Sequence, residues 1–262
     1  MKITILTAAL NPGGALRDCL ASVAGQRLPA GVEVEQLVLD GGSTDGTVPV
    51  LERWAGEGTG RKFRSEPDGG FYQALNHGIP LAGGDVVGIL NADDFYFDDF
   101  VIARVAEAFS ETGVEGAYGD LVYVSNVSRR TEFQIKRYWK SGNFRTGSFR
   151  WGWMPPHPTV FVRRDVYARC GGFRGEFGSA ADYEWLVRVM VKEGIPFRYI
   201  PHVQVAMRVG GMSNRTLAAR MAGNRNDRRA WAANSLTPLP WTFLLKPLRK
   251  IPQWFARYRE AV

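Results

Sequence analysis

An α/β fold with a mostly parallel central sheet flanked by helices is predicted by three features of this 262-residue chain. Short apolar runs alternate with segments of helical period over the first hundred residues. Polar clusters follow the first, second and fourth of those runs. A basic, aromatic-rich C-terminal stretch then breaks the pattern and reads as a helical tail.

The elements follow in order. Residues 3–8 form an apolar run that stops at Asn11-Pro12-Gly13-Gly14, and Leu16, Leu20 and Val23 then recur at helical spacing. Residues 34–39 make a second β-rich run, ending at Asp40-Gly41-Gly42. A helix opening at Thr47 sets Val48, Leu51 and Ala55 on one face. Phe63 sits in a short third strand. Residues 71–81 read as a helix with Tyr72, Leu75 and Ile79 inward, 85–90 as a fourth strand and 100–109 as a further helix. This βαβα rhythm implies parallel strands covered on both faces, with ligands bound beyond the strands' carboxyl ends. Further on, Tyr118, Val122, Tyr123, Val124, Phe133 and Ile135 suggest strands, and 137–158, rich in Gly, Trp and basic residues, a long loop. A helix from 180 to 192 carries Tyr183, Leu186, Val187 and Met190. The expected division is a catalytic domain over 1–212 and a basic amphipathic tail over 213–262.

Composition excludes several classes. Hydrophobic residues at 45% and charged ones at 23% fit a globular chain rather than a disordered one. Two cysteines, Cys19 and Cys170, make no disulfide framework and no metal motif, so a reducing cytoplasm is expected. No stretch reaches the roughly 18 apolar residues of a membrane span. The apolar start has no cleavage-site pattern after it and reads as a buried strand rather than a signal peptide. The net charge of +7 belongs to the end of the chain, since residues 201–262 hold 11 Lys+Arg against 2 Asp+Glu. That suits an anionic surface at the tail, while the acidic strand ends argue against a nucleic-acid binder.

Four segments carry candidate chemistry. Asn91-Ala92-Asp93-Asp94 follows the fourth strand, where adjacent carboxylates either hold a hard cation or cap the next helix. Asp40-Gly41-Gly42-Ser43-Thr44-Asp45-Gly46-Thr47 ends the second strand and serves equally as a turn with a helix cap or as a base- and ribose-binding loop. Ser65-Glu66-Pro67-Asp68-Gly69-Gly70 precedes the helix that bears Asn76. Ala181-Asp182-Tyr183-Glu184 opens an amphipathic helix, where a carboxylate is either a general base or favourable charge in a first turn.

Taken in chain order together with the first strand ending at Thr7 and Asn11, these four segments resemble glycosyltransferase family 2, with its nucleotide-binding GT-A fold, over about residues 2–212. The SEPDGG and AL-N-x-G elements are similar to those of bacterial surface-polysaccharide members of the colanic-acid type. The resemblance implies that Thr7 and Asn11 line a nucleotide pocket, that Asp40 bonds the base and that Asp68 lies near base or ribose. It makes Asp93 the acidic residue that holds Mg²⁺ or Mn²⁺ on the donor diphosphate, with Asn91 beside it, and Asp182 the catalytic base. Asn91 stands where an Asp is more usual, which removes one negative charge from the metal site. The signature of processive synthases is absent, which implies one sugar per event. The implied enzyme is an inverting, metal-dependent transferase acting from a nucleotide-sugar, UDP-linked by default, on a saccharide or lipid-linked acceptor.

His157, in a Pro-rich turn, is either structural or near the acceptor. Arg208-Val209-Gly210-Gly211-Met212-Ser213 resembles a loop that closes over the nucleotide. Within 241–258, Trp241, Leu244, Leu245, Leu248, Phe255 and Tyr258 are interleaved with Lys246, Arg249, Lys250 and Arg257, as in an interfacial helix on anionic lipid. Pro247 and Pro252 divide it into short pieces. This points to peripheral contact with the cytoplasmic face of the inner membrane, the alternative being packing on the catalytic domain. Competing classes are a degenerate nucleotide-sugar-binding scaffold, which need keep neither Asp93 nor Asp182, and a nucleotidyltransferase, which would show a Gly- and Arg/Lys-rich loop after the first strand. A dinucleotide-binding dehydrogenase would need a Gly-x-Gly-x-x-Gly turn, which is missing.

Overall fold

The computed structural model describes residues 1–210, 217–256 and 258, so the glycine-rich segment is described only as far as Gly210. The first half alternates as the sequence implies: β1 (Lys2–Ala9), α1 (Ala15–Ala24), β2 (Glu33–Asp40), α2 (Thr47–Gly56), β3 (Arg61–Ser65), α3 (Phe71–Gly78), β4 (Val86–Ile89), β5 (Phe95–Tyr96) and α4 (Val101–Ser110). Strands β3, β2, β1 and β4 lie side by side and parallel.

β1 is buried on both faces, which is why its sequence is a nearly continuous apolar run instead of an alternation. Ile3 and Ile5 pack with Cys19 and Val23 of α1 and with Val101 and Val105 of α4. Leu6 and Ala8 face the other way, against Ala74 and Leu75 of α3. Burying both faces fixes the register, because a one-residue slip would exchange every side chain between the two layers.

The second half is mixed. It comprises β6 (Gly116–Arg129), β7 (Glu132–Trp139), β8 (Phe161–Arg163), α5 (Arg164–Cys170), α6 (Ala181–Val187) and β9 (Phe197–Arg208). β8 joins β4 to β6 in antiparallel fashion, β9 runs parallel to β6, and the short β5 closes the edge against β9. β7 pairs with β6 as a long antiparallel ribbon, so the strand continues to Trp139 where a loop had been expected from residue 137. α6 passes into a π-helical turn at Arg188–Lys192.

The last part is α7 (Leu217–Ala233), α8 (Thr242–Leu248) and α9 (Pro252–Phe255), two of them short pieces about the two prolines. They do not stand apart. Trp231 and Ala230 of α7 and Phe243 of α8 are buried in the same core as the α3 and α6 side chains. The Trp231 indole donates to the Tyr183 hydroxyl at 2.9 Å, and Asn234 donates to Glu184 at 3.0 Å.

Candidate active site

The parallel strands bring three chain crossings together. Ala9 pairs with Asp40, and Leu6 with Ile89, so the ends of β2, β1 and β4 lie in a row at the inter-strand spacing of about 4.8 Å. The loops beyond them are stitched by side chains. Asn11, held at φ 49°, accepts from the Thr44 N–H at 2.8 Å and directs its own N–H to the Ser43 hydroxyl at 2.8 Å. The Gly13 N–H donates to Asp45 at 3.0 Å. The buried Asp40 carboxylate accepts from the Ser43 N–H at 3.0 Å and the Ser65 hydroxyl at 2.7 Å, which ties the end of β2 to β3. Asp68 lies against Gly41 so closely that a Cβ there would stand 3.0 Å from its Oδ2. A glycine is what permits that approach.

Asn11 is exposed and Asp68 half-buried at this end of the strands, while the Asp40 carboxylate lies buried beneath them, bonded to Ser43 and Ser65. Thr7 is not on the surface of this crevice. Position 7 shares the inward face of Ile3 and Ile5, so its hydroxyl lies fully buried beneath α1 and accepts from the Gln36 amide at 3.1 Å. It supports the crevice from below rather than lining it.

At the end of β4, Asp93 is exposed, and among the described residues its carboxylate takes no hydrogen bond or ion pair. Asp94 turns inward and accepts from the Asn91 amide at 2.8 Å and the Arg208 N–H at 3.0 Å. Burial, and then the neighbouring Asp93 charge, push the Asp94 carboxyl well above the usual carboxylate range. Arg208, at the end of β9, pairs with Asp18 of α1 and donates to the Asp93 carbonyl. Among the described residues no three His, Cys, Asp or Glu side chains converge on one point. The donor set is instead small and hard: the free Asp93 carboxylate and the Asn91 amide oxygen, whose NH₂ is already engaged. That chemistry fits a Mg²⁺ or Mn²⁺ that takes few protein ligands and completes its shell with phosphate and water.

The second focus is the start of α6. Asp182 accepts from the Tyr183 N–H at 2.7 Å, and Tyr72, on the first turn of α3, lies within hydrogen-bonding reach of it. Burial and then the Asp182 charge hold the Tyr72 phenol protonated, far above its ordinary value. His157 is buried edge-on to Phe173, with ring centroids 5.4 Å apart. Burial pushes its imidazole down while the nearby Asp182 charge opposes, so it is neutral at pH 7. Asn76 is spent on structure. Its amide donates to the Phe173 carbonyl at 2.7 Å and accepts from the Phe173 N–H at 2.8 Å, stapling the loop before α6 onto α3. Asn76, a substrate-binding candidate by its place in the SEPDGG…ALNHG stretch, has its amide engaged by the Phe173 backbone here.

Sequence reasoning missed the C-terminal contribution to this corner. Lys246 of α8 bonds Asp227 of α7 at 2.7 Å and lies 3.5 Å over the Tyr183 ring, next to Asp182 in sequence. Tyr72 was readable as an inward residue, but nothing in a helical period tells a hydroxyl that packs from one that meets a carboxylate 110 positions on.

A family model described as "Glycosyl transferase family 2" matches residues 4–169. The chain belongs to that family. It is similar, at 30% identity over 204 residues (76% of this chain, 72% of the relative), to an uncharacterized glycosyltransferase of Mycobacterium tuberculosis. At 30% identity over 214 residues (80% and 78%), it is similar to the PGL/p-HBAD biosynthesis glycosyltransferase of Mycobacterium bovis. Among solved structures, S. aureus TarS 1-349 in complex with UDP-GlcNAc superposes with TM-score 0.62 at 15% identity, covering 97% of this chain and 78% of that one. The mannosyltransferase PcManGT of Pyrobaculum calidifontis, in complex with GDP-Man and Mn²⁺, gives TM-score 0.64 at 18% identity over 93% and 67%. Of the chain in another S. aureus TarS structure this glycosyltransferase spans 39%. At these identities the superpositions establish the GT-A fold.

Proposed function

We propose that this family 2 glycosyltransferase is an inverting, metal-dependent, non-processive enzyme that moves one sugar from a nucleotide-sugar, UDP-linked by default, to an acceptor hydroxyl in bacterial polysaccharide or glycolipid synthesis. The observation that carries the reading is the pairing of two carboxylates in different settings: exposed Asp93, without a protein partner among the described residues, and Asp182, ringed by Tyr72 and neutral His157. Biosynthetic relatives named for PGL/p-HBAD and for succinoglycan support the product class, and neighbours that bind UDP-GlcNAc and GDP-Man support the donor class.

In the proposed reaction Asn11 and Asp68 hold base and ribose, beside a loop that the buried Asp40 carboxylate keeps in place. A divalent cation held by Asp93, with the Asn91 amide oxygen, would supply positive charge to the departing diphosphate. Asp182 takes the proton of the acceptor hydroxyl while that oxygen bonds to the anomeric carbon. The bond from that carbon to the diphosphate breaks on the opposite face, so configuration inverts. Neutral His157 and Tyr72 lie beside the carboxylate and would orient it toward the acceptor. Among the described residues no helix is long and apolar enough to cross a membrane. Residues 241–256 expose aromatic and aliphatic side chains beside cations, which supports peripheral attachment to an anionic membrane and a lipid-linked acceptor.

The test is a thermal-shift screen of nucleotides and nucleotide-sugars with Mn²⁺, Mg²⁺ or EDTA. One nucleotide class should stabilise the protein only with metal, and Asp93→Ala should lose that response. Metal-independent stabilisation, or a response untouched in Asp93→Ala, would remove Asp93 from the role.

A further inference from the structure

The segment 170–174, between α5 and α6, is a strap with a helix on either side of it. On the α3 side the Asn76 amide grips the Phe173 backbone at both its N–H and its carbonyl, at 2.8 and 2.7 Å. The grip needs Gly172, where a Cβ would collide with the Asn76 amide oxygen. The Phe173 ring centroid lies 5.4 Å from that of Tyr72, and Gly175, just beyond the strap, lies against the Gln73 side chain. On the α6 side the Trp185 indole donates to the Gly171 carbonyl at 3.1 Å, and its ring lies 5.4 Å from Phe173. The strap therefore ties the helix that follows Asp68 to the helix that carries Asp182.

Arg188 supplies the remaining ties. It begins the π-helical turn at the end of α6. Its guanidinium donates to the Cys170 and Gly171 carbonyls through one NH₂ and to the Gly172 carbonyl, at 2.7 Å, through the other. The rest of the fork is bidentate on Glu184, one turn back, at 3.0 and 2.8 Å. The two side chains are buried, with 4 and 0% exposure. Arg174, at the far end of the strap, reaches the same carboxylate at 3.2 Å.

A buried ion pair is a poor source of stability, because apolar residues of similar volume serve as well or better. What this pair offers is geometry. A planar guanidinium presents its donors in a fixed fork, which here meets one carboxylate and three successive carbonyls at once; an ammonium has no such fork. Residues 170–172 are at least partly open to solvent, so water can satisfy their carbonyls when the fork is gone. The fold would then survive, and the strap would lose its fixed place.

We infer that Arg188, held by Glu184, is a positioning residue for sugar transfer: it locks the 170–174 strap and so sets Asp182 at its working distance from the donor at Asp68. The inference rests on the proposed roles of those two aspartates and adds what fixes one relative to the other. A misplacement of about 1 Å between reacting groups costs on the order of 10²-fold in rate with every group still present.

The experiment uses the full chain and two variants. Glu184→Met with Arg188→Met removes the pair without stranding a charge, and Arg188→Lys keeps the charge but loses the fork. UDP-glucose, UDP-GlcNAc and GDP-mannose are each offered with Mn²⁺. Release of the nucleoside diphosphate, with water as the acceptor, gives kcat and KM, and hydrogen–deuterium exchange follows the strap amides. In both variants kcat should fall about 10²-fold while KM for the donor and the melting temperature stay nearly constant. Exchange should rise over 170–174 and not over 40–47. Wild-type kcat in either variant, or unchanged exchange in the strap, would overturn the inference. A loss of donor affinity and melting temperature alongside kcat would overturn it too, by making the pair a general scaffold. Turnover by wild type with a full-rate variant sinks only this inference, whereas no donor binding by wild type sinks the donor reading and this inference with it.

Discussion

Replacing Glu35 by Gln should cost this protein about 3 kcal/mol at pH 7 and much less in acid. Glu35 lies at the amino end of β2, at the opposite end of the sheet from the crevice, and is fully buried. Burial alone would raise its carboxyl. Bonds from Lys2 and Lys62 at 2.8 Å each, from the Gly83 N–H at 2.8 Å and from Thr4 at 3.0 Å outweigh this and bring it from 4.5 down to about 2. A depression of that size, at about 1.36 kcal/mol per pH unit, corresponds to roughly 3 kcal/mol. Because both lysines are partly exposed, this is an upper figure. The folded value lies below the unfolded one, so the stabilisation is complete above about pH 4.5 and is lost as pH falls toward 2. By linkage the gap between wild type and Glu35→Gln should shrink to about 1 kcal/mol at pH 3. Urea unfolding at pH 7, 5 and 3 reads this directly, and the neutral-pH gap should appear as a melting difference on the order of 8 °C. A gap that is constant with pH would refute the reasoning, since it would mean that shape rather than charge is what Glu35 supplies.

Other expectations concern the site. Tyr72→Phe removes a hydroxyl beside Asp182, so sugar transfer should slow while nucleotide affinity stays constant; unchanged transfer would make Tyr72 a packing residue only. Trp254→Ser with Phe255→Ser should abolish flotation with vesicles of phosphatidylglycerol and phosphatidylcholine and leave the melting temperature nearly unchanged, because both side chains are exposed. Equal flotation of variant and wild type would remove the membrane assignment.

The parallel half was legible because strands buried on both faces are written as apolar runs, and each run stops where a loop begins. The acidic β4 end and the α6 start were legible for the same reason. What periodicity could not show was partnership. β5 is two residues long, and its place is set by β9, which begins 101 positions after it ends. The end of β7, from Arg137 to Trp139, reads along the chain as the start of a loop. Asn76 read as a site residue because it belongs to the AL-N-x-G stretch that resembles the family. Its use is at Phe173, 97 residues away. Trp231 and Phe243 read as tail, yet they fill the core beside Tyr183 and Phe149, since a 3.6 period says that a face is apolar and not what covers it.

The most direct test of the central claim is Asp182→Asn, assayed for both donor binding and sugar transfer. The exchange keeps the shape and leaves an oxygen to accept the Tyr183 N–H, but it removes the base. Nucleotide-sugar affinity with Mn²⁺ should be unchanged, while transfer to the acceptor falls by about 10²–10⁴-fold or more. Weakened donor binding with normal turnover would contradict the account, and the base would have to be sought elsewhere.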